Sequence, residues 1–114
     1  MKVVVAGSRT FNDYKLLKDT LDELHSQVDD IEIVSGGARG ADKMGERWAT
    51  ENKCKIHQFI PNWDLGKSAG YKRNEDMAKF GDAAIVFWDG TSKGSKHMID
   101  LSKKYKLKIK VVRF

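Results

Sequence analysis

A glycine-rich segment between a predicted strand and a predicted helix carries the residue types best suited to bind an anion. It follows an apolar run at 31–34 and reads Ser35-Gly36-Gly37-Ala38-Arg39-Gly40-Ala41-Asp42. Glycine lets the backbone turn at positive φ and lets a ligand come close, and free amides at a helix start favour a phosphate. Arg39 adds a planar guanidinium suited to phosphate. The segment therefore predicts an anion-binding loop rather than a mere tight turn.

The segment after the first predicted strand has a similar character. It contains Gly7, Ser8, Arg9 and Thr10. Arg9 can pair with a phosphate through two parallel hydrogen bonds. Ser8 and Thr10 can donate to a phosphate or a ribose, or they can cap the first helix.

A third such segment follows the fourth predicted strand. Asp89 can bind a ribose hydroxyl or cap the next turn. Backbone amides and hydroxyls for a second anion contact come from Gly90, Thr91, Ser92, Gly94 and Ser95.

The third predicted helix adds Arg73 and Asn74 near its start. Both face the same place as the three loops only if the preceding loop folds back. Trp63 in that loop and Trp88 at the end of the fourth strand can stack on a base, but an indole in a small domain also packs on its own protein. Both interpretations stay open for both tryptophans.

These segments become one site only if the strands before them lie side by side. Strands are predicted at 3–6, 31–34, 55–60, 83–88 and 107–112, with helices between them. Asn12 or Asp13 would cap the first helix, the second would run from about 41 to 51 and the third from 70 to 81, and residues 63–67 would be the least regular part.

This alternation predicts one α/β domain over residues 1–114, with a Rossmann-like three-layer fold. We expect a five-stranded parallel sheet in the order 3-2-1-4-5 with helices on both faces. In that order the strand order reverses between strands one and four, which is where ligands bind in such sheets. The loops after strands one, two and four then share one edge.

Composition limits the classes of protein. The 114 residues have 21 Lys and Arg against 16 Asp and Glu, a net charge of +5. This charge is compatible with nucleic acid, although the lysines crowd the C-terminus in a pattern typical of a solvated edge strand. No apolar run approaches the roughly 20 residues of a membrane span, and one cysteine, Cys54, fits a reducing compartment. We expect a cytoplasmic protein, in the host cytoplasm if a phage encodes it, without metal, cofactor or membrane partner; a homo-oligomer stays open.

The sequence lacks the motifs of several classes of enzyme. The sequence has no GxxxxGK[ST] loop and no complete GxGxxG fingerprint, which disfavours P-loop enzymes and dinucleotide oxidoreductases. His25, His57 and His97 are scattered without an evident acid or metal partner.

Four segments carry a family resemblance: AGSRTF at 6–11, SGGARGAD at 35–42, AGYKRNEDM at 69–77 and FWDGTSKG at 87–94. In this order they resemble the SLOG superfamily of Rossmann-like nucleotide-binding domains, which includes the LOG phosphoribohydrolases and the DNA-processing protein DprA. The chain is most similar to the small YspA-like proteins of bacteria and phages. The resemblance implies that a nucleotide or nucleotide-derived ligand binds at this edge, in a sensor or sequestering module.

An enzymatic activity is the second function that the resemblance implies. LOG enzymes use a PGGxGTxxE motif in N-glycosidic bond hydrolysis. Here Ser35 replaces the proline and the third glycine, Gly40, lies one position later, so Asp42 and Glu46 are the candidate catalytic acids of a nucleoside 5′-monophosphate phosphoribohydrolase. Single-stranded DNA binding, as in DprA, is the third function, and the scarcity of clustered aromatic residues argues against it.

Overall fold

The computed structural model describes residues 1–66 and 68–114 and confirms the predicted architecture. Five parallel strands form one sheet in the order β3-β2-β1-β4-β5. The elements are β1 (Lys2–Gly7), α1 (Tyr14–Gln27), β2 (Glu32–Ser35), α2 (Ala41–Glu51), β3 (Ile56–Gln58), α3 (Ser68–Phe80), β4 (Ala83–Trp88), α4 (Lys93–Lys104) and β5 (Lys108–Arg113).

Alternate residues of the central strand pack against the two helical layers. Val3 and Val5 lie in the core under α1 and α2, which includes Trp48. Val4 lies in the core under α3 and α4, which includes Met77. Because β1 and β4 are covered on both faces, residues 3–6 and 83–88 form continuous apolar runs.

The edge strand β3 and the segment that follows it differ most from the prediction. β3 covers Ile56–Gln58 rather than 55–60, because β2, the strand it pairs with, ends at Ser35 opposite Gln58. Within the stretch predicted to be irregular, Trp63–Leu65 form a 3-10 turn, and Lys67 lies outside the described residues. α3 begins at Ser68 rather than Gly70.

The helix surfaces carry charges that are mostly paired. Lys15 lies 2.7 Å from Asp19, and Arg47 lies 3.3 Å from Glu51, each one helical turn away. Exposed pairs of this kind stabilise a helix by only a few tenths of a kcal/mol, roughly 0.3–0.5. In the ranges that the structure describes, no helix is long and apolar enough to cross a membrane.

Candidate functional site

A cavity of about 390 Å³ lies where the strand order reverses, beyond the carboxyl ends of β1 and β4. We call it the first cavity. The residues lining it are Ala6, Gly7, Ser8, Arg9, Thr10, Ala38, Asp42, Arg73, Asn74, Met77, Asp89, Ser92, Gly94, Ser95 and Met98. Parallel α/β sheets bind their ligands at this position.

A second cavity of about 360 Å³ adjoins the first. Its lining consists of Arg9, Gly36, Gly37, Ala38, Arg39, Ile60, Pro61, Trp63 and Arg73. Arg9, Ala38 and Arg73 line both cavities, so they form the wall between them.

Arg73 is the best-fixed residue of this wall. Its half-buried guanidinium donates from Nη1 to the Gly36 carbonyl at 2.7 Å and from Nε to Asn74 Oδ1 at 2.9 Å. Gly36 permits this approach, because a Cβ on that residue would lie 2.3 Å from Arg73 Nη1. Two bonds leave further N–H groups of the planar fork free for a ligand.

Three guanidiniums around the two cavities have no salt-bridge partner among the described residues, although the Asp42 carboxylate acts on Arg73 from beyond that distance. Across residues 1–66 and 68–114, no carboxylate lies within ion-pair distance of Arg9, Arg39 or Arg73. Elsewhere, as on α1 and α2, cations pair with acids one turn away. With Arg9, Arg39 and Arg73 against Asp42 and Asp89, the lining of the two cavities keeps a net charge of +1 when both carboxyl groups are ionised, which favours an anion.

The start of α4 faces the first cavity with backbone amides. Gly94 and Ser95 lie in its first turn, where amides have no acceptor within the helix. In the described part of the chain, no side-chain hydrogen bond from Ser92 caps this end. The buried hydroxyls of Ser8 and Ser95 line the same cavity. Together these groups offer donors to a phosphate.

Capping interactions settle part of what the sequence left open. Asp13 caps α1, accepting from the Leu16 amide at 3.1 Å, so that neither Ser8 nor Thr10 has that task. Asp89 Oδ1 accepts from the amides of Thr91 and Ser92 at 2.9 and 2.8 Å. These bonds hold the pKa of Asp89 below its usual range, and Asp89 also lines the first cavity.

The glycine loop before α2 is held by its own side chains. The Gly37 amide donates to Ser35 Oγ at 3.1 Å, and the Ala38 amide lies 3.4 Å from Asp42 Oδ2. Ser35 Oγ in turn donates to Glu46 Oε2 at 2.7 Å. Amides that the sequence assigns to a ligand are thus partly used to fix the loop.

Asp42 is the carboxyl group most altered by its surroundings. Only 4% of the residue is exposed. Burial raises the pKa of Asp42 to about 6, against the lowering effects of Arg73 and of the amides of Ala38 and Gly36. The carboxyl lines the first cavity beside Arg73.

Two comparisons with known proteins identify the family. A profile of the YspA, cpYpsA-related SLOG family (YAcAr) matches residues 1–66. The Gene 61 protein of Mycobacterium phage D29 is 36% identical over 104 residues, which cover 84% of this chain and 83% of the phage protein. The chain belongs to the YspA-related SLOG family. Membership in this family supports a module that binds a nucleotide or a nucleic acid.

A solved structure supports the SLOG fold. DNA processing protein A from Helicobacter pylori, whose single-stranded DNA binding mode was studied, is similar with a TM-score of 0.69 over 97% of this chain. The chain spans 64% of the length of that structure. At 21% identity the likeness shows the fold alone.

The SLOG fold brings most of the predicted site residues together, in two groups. Those in the first cavity are Gly7, Ser8, Arg9, Thr10, Asp42, Arg73, Asn74, Asp89, Ser92 and Gly94, and those in the second are Arg9, Gly36, Gly37, Arg39 and Arg73. Among the described residues, the predicted ones that line neither cavity are Ser35, Gly40, Glu46, Gly90 and Thr91. Glu46 is therefore poorly placed for catalysis, because it is bound to Ser35 behind the loop.

Ser95, which the sequence analysis assigned to the anion contact, also lines the first cavity, whereas part of the second cavity was missed. Ile60 and Pro61 carried no signal, because they read as the end of an apolar strand. They reach the second cavity only because the chain turns after β3.

Replacing Asp42 by asparagine is expected to remove a pH-dependent loss of stability. The folded-state pKa, about 6, lies above the usual value, so the folded state is stabilised below about pH 4 and loses this stability as the pH rises through 6. The full difference is roughly 3 kcal/mol, at about 1.4 kcal/mol per pKa unit. Urea unfolding of both proteins at pH 4 and pH 7.5 measures it.

The difference between wild-type protein and Asp42→Asn isolates the effect of Asp42. Other carboxylates, whose lowered pKa values make stability rise with pH, contribute equally in both proteins. Asp29→Asn, in an exposed turn, is the matched control. An Asp42→Asn effect on the free energy of unfolding that is equal at both pH values would contradict the assignment.

Proposed function

We propose that this SLOG-family protein binds a nucleotide or nucleotide-derived molecule at the carboxyl edge of its sheet, as a sensor or sequestering module. The phosphate lies in the first cavity, between the guanidiniums of Arg9 and Arg73 and the start of α4. The observation that carries the proposal is the convergence of unpaired guanidiniums, uncapped helix amides and buried hydroxyls on one cavity.

Each of these groups suits a phosphate for a separate reason. Guanidinium forks match phosphate oxygens with paired, charge-assisted hydrogen bonds. The start of α4 adds a partial positive charge and aligned amides. The hydroxyl of Ser8 adds a short donor within the cavity, and that of Ser95 adds another when it turns away from Ser92 Oγ, to which it donates at 3.2 Å. This donor set is complementary to a dianion and offers little to a neutral sugar alone.

Calorimetric titration with nucleoside 5′-monophosphates and ribose 5-phosphate tests the proposal, with adenosine as the ligand without phosphate. We expect the phosphorylated ligands to bind and adenosine to bind much more weakly. Arg9→Gln is expected to weaken binding about 3- to 10-fold, the effect of one exposed charge of up to ~1 kcal/mol or slightly more.

Arg47→Gln is the matched control, because Arg47 is exposed on α2 and paired with Glu51 outside both cavities. It should leave affinity unchanged. Absence of binding by every phosphorylated ligand at millimolar concentration would remove the proposal. A single-stranded oligonucleotide belongs in the same series, since binding of nucleic acid would weaken steeply between 50 and 200 mM salt.

A phosphoribohydrolase is the second candidate, favoured by the position of Asp42 in the first cavity beside Arg73. In that reaction the bond from C1′ to the base breaks, water adds to C1′, and the base leaves with a proton. The ionised carboxylate of Asp42 would stabilise the positive charge at C1′. Chromatography of the incubated monophosphates for free base, with Asp42→Asn alongside, tests it; wild-type protein that binds but releases no base would leave the binding function alone.

A further inference from the structure

Trp63 differs from the other two tryptophans because its indole N–H has no acceptor among the described residues and much of its ring is exposed. Trp48 is fully buried and donates to Asp22 Oδ1 at 2.9 Å. Trp88 donates to the Ser92 carbonyl at 3.1 Å, and the guanidinium of Arg113 lies 5.0 Å from its ring centre.

Trp63 is 57% exposed, and no partner for its indole N–H and no aromatic ring against it lies in the residues that the structure describes. Its exposed ring offers a large apolar surface that a flat ligand can cover.

Local structure holds the Trp63 indole at the second cavity. The 3-10 turn that carries it is fixed by Asn62, whose side chain accepts from the Asp64 amide at 3.2 Å. The edge of the ring lies over α3, where a Cβ on Gly70 would be 3.7 Å from Cη2. The ring is therefore held in a defined position against α3 and keeps an exposed surface.

The rest of the second cavity completes a slot for a flat apolar group. Ile60, 62% exposed, packs over Gly37, where a Cβ would lie 2.5 Å from Ile60 Cδ1. Pro61 lines the same space. Arg9 and Arg73, which also line the first cavity, complete the lining.

From this arrangement we infer that the second cavity is a base-binding subsite in which Trp63 stacks on the base of a nucleotide whose phosphate lies against Arg9 and Arg73. The inference rests on the proposed function, because it uses the same arginine wall for the phosphate. It assigns the ligand to the nucleotides with an aromatic base rather than to sugar phosphates or inorganic anions. Every base can stack on an indole, and the larger rings of purines should raise their affinity a few-fold over that of pyrimidines.

A series of three ligands separates the contribution of the base to affinity from that of the phosphate. Calorimetry with ribose 5-phosphate, UMP and AMP, all carrying the same 5′-phosphate, measures what the base adds. In the wild-type protein AMP should bind about 5- to 20-fold tighter than ribose 5-phosphate, the lower part of the range for one stacked base. Trp63→Ala should abolish most of this gap and leave the affinity for ribose 5-phosphate within about twofold, whereas Trp63→Phe should keep part of it.

Leu65→Ala is the matched control, because Leu65 is an exposed apolar residue of the same turn and lines only a neighbouring groove. It should keep the full gap between AMP and ribose 5-phosphate. Equal affinities for the two ligands in the wild-type protein would overturn the base subsite while leaving phosphate binding intact. A Trp63→Ala variant that keeps the difference in affinity between AMP and ribose 5-phosphate would also overturn it, and would point to a protein partner for the turn. Failure of every ligand to bind would overturn the subsite and the proposed function together.

Discussion

Replacing Arg73 with glutamine is expected to weaken binding of a nucleoside 5′-monophosphate by about 100-fold or more. Arg73 is the half-buried member of the wall between the cavities, fixed by the Gly36 carbonyl and by Asn74. Hydrogen bonds to charged groups are worth about 1.5–3 kcal/mol each, so loss of a paired contact costs at least about 3 kcal/mol. Calorimetric titration of both proteins measures the change.

Two variants separate the role of Arg73 in binding from its role in the fold. Lys72→Gln changes the neighbouring exposed cation on α3, which lines neither of the two cavities, and should leave affinity unchanged. Gly36→Ala keeps the arginine but places a Cβ against its guanidinium, so it should also weaken binding without unfolding the protein. Full affinity in a folded Arg73→Gln variant would contradict the phosphate site.

Replacing Trp48 with alanine is expected to cost about 3–5 kcal/mol of unfolding free energy. Trp48 is fully buried, and it joins α2 to α1 through its bond to Asp22 and its edge contact with His25, with ring centres 5.3 Å apart. The loss is large beside the roughly 5–15 kcal/mol by which small proteins are stable. Urea unfolding followed by circular dichroism measures it.

Trp48→Phe is the companion variant, because it keeps an aromatic ring in the core and removes the bond to Asp22. Its loss of stability should be clearly smaller than that of Trp48→Ala. A Trp48→Ala protein destabilised by less than about 1 kcal/mol would show that the packing of α1 on α2 is not the support that the core contacts indicate.

The sheet order could be predicted because buried parallel strands leave a strong pattern. The apolar runs at β1 and β4, such as Val3 to Ala6, are continuous where helices cover both faces. β3 is an edge strand with partly exposed residues, and its bounds were accordingly predicted less well. Boundaries at an edge depend on the length of the neighbouring strand, which a local pattern does not contain.

The site could be predicted as a set of loops but not as a network of contacts. Topology alone places Arg9 and Asp89 on one edge. The bond between Arg73 and Gly36 joins residues 37 positions apart, and the one between Ser35 and Glu46 turns a predicted catalytic acid into a support for the loop. Such pairings depend on three-dimensional distances that residue types do not encode.

Amide chemical-shift mapping during titration with AMP tests the central claim most directly, since it reports where the ligand binds. We expect the largest shifts at Ser8, Arg9, Gly94 and Ser95, with the indole N–H of Trp63 shifting along with them. Shifts confined to the lysine-rich edge at β5, or spread without reference to the two cavities, would contradict it.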